Sequence, residues 1–168
     1  GGGSSGPYRG AKFSLFEGGI RVPAIISWPG TLPSNEVRSQ FATAVDWLPT
    51  VAKMTGVDLP DRKLDGNDLT AVINEDADAP TTTFHWQSGR GLGGKPQWAV
   101  RHENWKLIGN PKDTSNKAPL EKNDSMFLID LKQDIAEMKN LADDHPEVVK
   151  RLSQMHAEWI LDVSKPRK

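Results

Sequence analysis

Apolar residues recur along the chain in two styles. In the first half, "VPAIISW" (22–28) is a short continuous apolar run closed by Pro29-Gly30, which predicts a strand buried on both faces. A polar loop follows over 31–40. "TAVDWLPTVAKMTGV" (43–57) predicts a helix signed at both ends. Asp46 is placed as its N-cap, Pro49 in its first turn and Gly56 at the position just past its end, with Val51, Ala52 and Met54 inside. Residues 58–79 read as loop, with a turn at Asp65-Gly66 and a short helix over "DLTAVI" (68–73).

In the second half the period changes. "TTTFHW" (81–86) is β-branched and aromatic, and a glycine-rich loop runs from Gly89 to Gly94. "QWAVRHENWKLIG" (97–109) predicts a hairpin with alternation on both arms and its turn at His102–Asn104. "MFLIDL" (126–131) is a further strand. The last segment, opened by Asp144 and Pro146, carries Val148, Leu152, Met155, Trp159 and Val163 at helical spacing. The chain therefore divides into residues 1–80 and an α+β part, 81–168, with a small antiparallel sheet and one long helix.

Composition narrows the function classes. Hydrophobic residues are a lean 36 %, offset by six tryptophans and five phenylalanines. The formal charge is −1, without the basic excess a nucleic-acid binder shows. There is no cysteine, which removes disulfides, thiolate nucleophiles and thiolate metal sites from these residues. No apolar run reaches the length of a membrane span. No signal peptide is visible in a chain that opens on a Gly/Ser segment, Gly1 to Gly6.

The residue that stands out chemically is Lys12. A lysine is by default a solvated surface charge. This one lies between Gly10-Ala11 and the apolar run Phe13–Phe16, and Glu17-Gly18-Gly19 follows. Paired glycines imply close backbone approach or positive φ, and a lysine so placed is suited to hold an anion. A phosphate-binding loop is excluded, since Phe13 follows the lysine and no G-x-x-x-x-G spacing precedes it. "GRGLGGK" (89–95) lies between strands and opens no helix, so it reads as a mobile loop.

"GPYRGAKFSLFEGGIRVPAIISWPG" (6–30) resembles the signature of the sulfatases, sulfuric ester hydrolases of the alkaline-phosphatase-like superfamily. The likeness continues in order through "VDWLPTVAKMTGV", "LDGNDL", "QWAVRHENWKLI" and "FLIDLKQDIAEMKNLADDHPEVVKRL", and so covers nearly the whole chain. It implies an α/β, alkaline-phosphatase-like fold, of which residues 1–80 would be the end of the large mixed sheet and residues 81–168 the C-terminal subdomain.

The resemblance also implies a chemistry: a formylglycine nucleophile, made from Cys or Ser in [CS]-x-P-x-R, attacks sulfur beside a divalent cation, usually Ca2+. Lys12 matches the family's sulfate-binding lysine, where a positive charge meets developing negative charge. His85, at a strand end, is placed near the substrate's leaving group, against the plainer reading of a polar rim residue. Glu17 and Arg21 are read as pinning the turn by an ion pair or by backbone hydrogen bonds, with catalysis as the lesser alternative. His102 and His145 are read as solvated, and Trp86 and Trp98 as core first and a sugar platform second.

The sequence also departs from the family. "SKPRK" (164–168) misses the nucleophile motif, with Lys168 in place of Arg and no helix to open. No Asp/Asn/His cluster has metal-ligand spacing. Formylglycine and Ca2+ ligands are thus expected outside this chain, in an N-terminal part of the same sulfatase, and this chain alone is expected to be inactive. The implied substrate is a sulfated carbohydrate or an aryl sulfate, and the implied location periplasmic, secreted or lysosomal. Two alternatives remain: a phosphate or phosphonate ester hydrolase of the same superfamily, and a non-catalytic glycan-binding α+β module.

Overall fold

The computed structural model describes residues 3–90, 94–115, 117, 120–121 and 123–165, with Arg90 described in its backbone alone. The chain forms two compact units. One combines Gly1–Val22 with Thr82–Lys168, and the other is Pro23–Thr81. The first 22 residues thus group with the sheet of the second half, not with the segment that follows them.

In the larger unit a single helical turn, α1 (Glu17–Ile20), precedes four antiparallel strands that lie in sequence order. These are β1 (Thr83–Arg90), β2 (Pro96–His102), β3 (Trp105–Gly109) and β4 (Met126–Asp130). All four overlap the segments that the sequence predicts as strands. β1 continues past Trp86 to Arg90, so Gly89 belongs to a strand and not to the expected glycine-rich loop, and residues 91–93 lie outside the described set. The β2–β3 turn is tight, with Glu103 at φ 55°. The register pairs His85 with Val100 and Leu107 with Val100, so these side chains share one face; Trp86, Ala99 and Ile108 share the other.

Each face has its own core. Val100, Leu107 and Leu128 pack under the C-terminal helix α4 (Pro146–Val163) through Val148 and Leu152. The proline at the start of α4 costs no hydrogen bond in its first turn. On the opposite face Ala99, Ile108, Phe127, Ile129 and Leu131 bury Leu15 and Phe16 of the N-terminal segment. Phe16 meets Phe127 edge-on, ring centroids 5.3 Å apart. Trp86 packs into this second core, and Trp98 into the first.

The smaller unit holds a 3-10 turn (Ala44–Asp46), α2 (Trp47–Thr55) and α3 (Thr70–Glu75). Gly56 ends α2 in the left-handed conformation, as its position predicts. Asp46 stands at the N-cap position of α2, as expected, but its side chain makes no capping bond to that helix. Its carboxylate closes a capping box one turn earlier, accepting from the Thr43 amide at 2.6 Å, and its other oxygen accepts from the Asn67 amide at 2.8 Å.

The stretch 22–28 corrects an expectation. It forms no strand, and Val22 (77 % exposed) and Ile25 (89 %) stand in solvent. A strand buried on both faces needs a hydrogen-bonding neighbour on either side, and no described segment pairs with it.

Candidate functional site

Lys12 sits at the apex of a turn in the N-terminal segment. The Ser14 amide donates to the Ala11 carbonyl at 3.0 Å, which makes Lys12 and Phe13 the two central residues. Phe13 has φ 73°, a left-handed conformation in which a bulky residue is strained, and Gly10 has φ 80°. Phe13 is also 67 % exposed, so burial does not offset the strain. Strain of this kind persists only where surrounding bonds enforce it, and it concentrates at functional sites.

The enforcing bonds are present. Thr114 Oγ1 accepts from the Ala11 amide at 3.0 Å and donates to the Lys12 carbonyl at 3.3 Å. Ser115 Oγ accepts from the Gly10 amide at 3.0 Å. From β2, Gln97 Nε2 donates to the Phe13 carbonyl at 2.8 Å. The backbone on both sides of Lys12 is therefore fixed, while its side chain is exposed. The ammonium lies 5.0 Å from the Phe13 ring centroid and has no carboxylate partner among the described residues.

Behind the turn lies a buried ionic cluster. Lys106, fully buried on β3, places its ammonium 2.9 Å from both Glu17 Oε1 and Glu137 Oε1. The second oxygen of Glu137 accepts from the Glu17 amide. Arg9 pairs with Asp113 at 2.8 Å, donates to the Glu137 carbonyl at 2.9 Å and lies over the Phe16 ring. Arg21 approaches Glu17 at 3.6 Å, so the turn-pinning ion pair exists, with Lys106 as the closer cation.

Burial tends to push the Glu17 carboxyl up, but the charges of Lys106, Arg101 and Arg21 outweigh it and hold the group below its ordinary value. For Glu137, burial prevails over Lys106 and the value is raised. The two glycines after Glu17 are required by close approach. A Cβ on Gly19 would lie 2.2 Å from the Ser14 carbonyl oxygen, and one on Gly18 2.3 Å from that of Gly10.

His85 is on the other side of the sheet. Its ring stacks on Trp159 of α4 at 4.9 Å, and its Nδ1 lies 3.3 Å from Nδ1 of His156, which stacks on Trp98 at 4.3 Å. Burial first, then the neighbouring His156, push His85 down to about 4. The structure therefore does not bring Lys12 and His85 together: the register that aims Trp86 at the Lys12 segment aims His85 at α4. His102 is not simply solvated either, since its Nδ1 lies 2.7 Å from Thr83 Oγ1. His145 lies against Trp105, ring centroids 5.1 Å apart.

Sequence reasoning misses Lys106, Glu137, Gln97, Thr114 and His156. Lys106 does carry a signal, because it has the same strand parity as Ile108 and so points into the core. Glu137 carries none: its role depends on a left-handed backbone (φ 57°) in an irregular segment. Among the described residues no group of three or more His, Cys, Asp or Glu side chains could hold a metal ion. No helix among them is long and apolar enough to cross a membrane.

Comparison with known proteins agrees with this architecture. Residues 10–162 match the family described as N-sulphoglucosamine sulphohydrolase, C-terminal. Arylsulfatase A of Bos taurus is 32 % identical over 176 residues, covering 94 % of this chain and 34 % of that protein. Steryl-sulfatase of Rattus norvegicus is 44 % identical over 73 residues, 43 % of this chain and 13 % of that one. A solved structure described under the metabolism of multiple glycosaminoglycans by Bacteroides thetaiotaomicron aligns with a TM-score of 0.69 at 25 % identity, over 89 % of this chain and 31 % of its own.

The chain belongs to the sulfatase family and corresponds to its C-terminal portion, with the α/β fold of that family. It spans about a third or less of the length of these relatives.

Proposed function

We propose that this chain is the C-terminal part of an enzyme that hydrolyses sulfate esters, and that Lys12 binds the sulfate oxygens. The observation that carries the reading is the exposed ammonium of Lys12, without a carboxylate partner among the described residues, on a strained turn whose flanking backbone is fixed by three side chains. A fixed cation aimed at a site of developing negative charge lowers the barrier without reorganisation at the moment of reaction. The buried cations behind it are matched by Glu17, Glu137 and Asp113, which leaves Lys12 as the charge this turn presents outward.

The residues here do not fit the rest of the machinery. There is no cysteine to become formylglycine, and among the described residues there is no acidic cluster for Ca2+. The near match "SKPRK" carries Lys168 where the nucleophile motif needs arginine, and residues 166–168 lie outside the described set. Formylglycine and the divalent cation are therefore assigned to an N-terminal part of the same protein, and no step is derived through them.

The substrate class we assign is a sulfated carbohydrate or an aryl sulfate, supported by the glycosaminoglycan context of the structural neighbour and by the aryl and steryl sulfatase relatives. We assign a periplasmic, secreted or lysosomal location, as the resemblance to the sulfatases implies. The placement of His85 against α4 supports packing for that residue, so substrate contact is assigned to Lys12 alone.

The test is sulfate release by the complete protein from an aryl sulfate and from a sulfated glucosamine, set against phosphate release from the matching phosphate esters. Faster turnover of the sulfate esters supports the reading. Preference for the phosphate esters would move the protein to another branch of the superfamily, and binding of glycans without turnover would make it a non-catalytic module.

A further inference from the structure

We propose that Thr114, with Ser115 and Gln97, positions Lys12 for sulfate binding. This role rests on the reading of Lys12 given above. Thr114 uses its one hydroxyl twice, accepting from the amide before Lys12 and donating to the carbonyl of Lys12 itself. Ser115 holds the amide of Gly10, and Asp113 organises this loop by accepting from the amide and the hydroxyl of Ser115, both at 2.7 Å. The same Asp113 pairs with Arg9, so the 113–115 loop grips the chain from Arg9 to Lys12.

Gln97 grips the turn from beneath. It is 1 % exposed, and its orientation follows from its bond to the Phe13 carbonyl, since a flipped amide would set two oxygens against each other. Its Oε1 has no partner among the described residues. The bond that Gln97 donates is the one that holds the Phe13 carbonyl, in a residue whose backbone is left-handed.

The role differs from general stabilisation because the bonds converge on consecutive residues around one exposed cation. A displacement of about 1 Å in a group that meets the reacting atoms can cost roughly 100-fold in rate. Thr114→Val keeps the shape and removes both hydrogen bonds. The experiment is a double-mutant cycle in the complete enzyme, with Thr114→Val and Lys12→Ala singly and together, scored by sulfate release from the better of the two substrates above. Melting temperature is read on every variant.

Thr114→Val is expected to lower kcat about 10- to 100-fold, with recovery in Thr114→Ser, and to cause no further loss once Lys12 is alanine. An equal fold-loss in both backgrounds, or no loss in either, would overturn the positioning role and leave the Lys12 reading intact. Full turnover by Lys12→Ala would instead remove the reading on which the proposal rests. If Thr114→Val does not fold, Ser115→Ala takes its place in the same cycle, with the same outcomes.

Discussion

The ammonium of Lys106 lies 2.9 Å from a carboxylate oxygen of Glu17 and 2.9 Å from one of Glu137, with all three side chains buried. One cation on the sheet thus ties the segment carrying Lys12 to the irregular chain after β4. The desolvation of such a cluster offsets much of its attraction, so the intact cluster contributes little net stability, while a broken one is costly.

Lys106→Met removes the cation closest to both buried carboxylates, leaving Glu17 only the more distant charges of Arg21 and Arg101. The expected loss is about 3–5 kcal/mol, measured by denaturant unfolding at neutral pH. The loss should shrink in acid, where these carboxyls take up protons. An unchanged midpoint would mean that the cluster does not hold the segment.

Gly19→Ala tests the close packing of the Lys12 segment. The added Cβ would meet two backbone oxygens, Ser14 at 2.2 Å and Ala11 at 2.5 Å, neither of which can swing aside as a side chain does. A destabilisation of roughly 1–3 kcal/mol is expected from such overpacking. Gly89→Ala has nothing within 4 Å of its Cβ and serves as the comparison for steric effects, although its φ of 41° adds backbone strain. Equal melting temperatures for Gly19→Ala and the unmodified protein would show that the turn is not packed this tightly.

The pair His85–His156 sets an acid limit. His85 titrates at about 4 in the fold against an ordinary 6.5, and His156 is also lowered by burial. Between those two values the unfolded chain binds more protons than the folded one, so stability rises with pH there. The contribution is complete above 6.5 and is lost as pH falls toward about 4. Thermal melts across this range should show the decline, and His85→Phe should flatten it. An identical decline in His85→Phe would assign the acid sensitivity to other groups.

Val22 and Ile25 stand in solvent, and Trp28 is 41 % exposed. Apolar groups so placed favour association. The 168-residue chain on its own is expected to self-associate in sedimentation velocity, and Ile25→Lys to reduce this. A clean monomer with a cooperative thermal transition would contradict it.

The sheet is legible in the sequence because alternation is a local signal: Trp98, Val100, Leu107 and Leu128 mark their strands without help from the rest of the chain. The stretch 22–28 misleads because an apolar run reports that burial is wanted, not that a neighbouring strand is present. Lys12 is legible from its setting among small residues and glycines. Gln97 and Thr114 are not, since they reach the turn from 84 and 102 residues away in sequence, through a fold that composition and spacing do not show.

The role proposed for Lys12 is in the reaction and not in the fold. The decisive experiment is turnover of a sulfate ester by the complete protein carrying Lys12→Ala, with a thermal melt of the same preparation. Loss of a single charge-stabilising donor predicts a fall in kcat of about 100- to 1,000-fold with the melting temperature unchanged. Turnover within a few-fold of the unmodified enzyme would show that Lys12 takes no part in the chemistry.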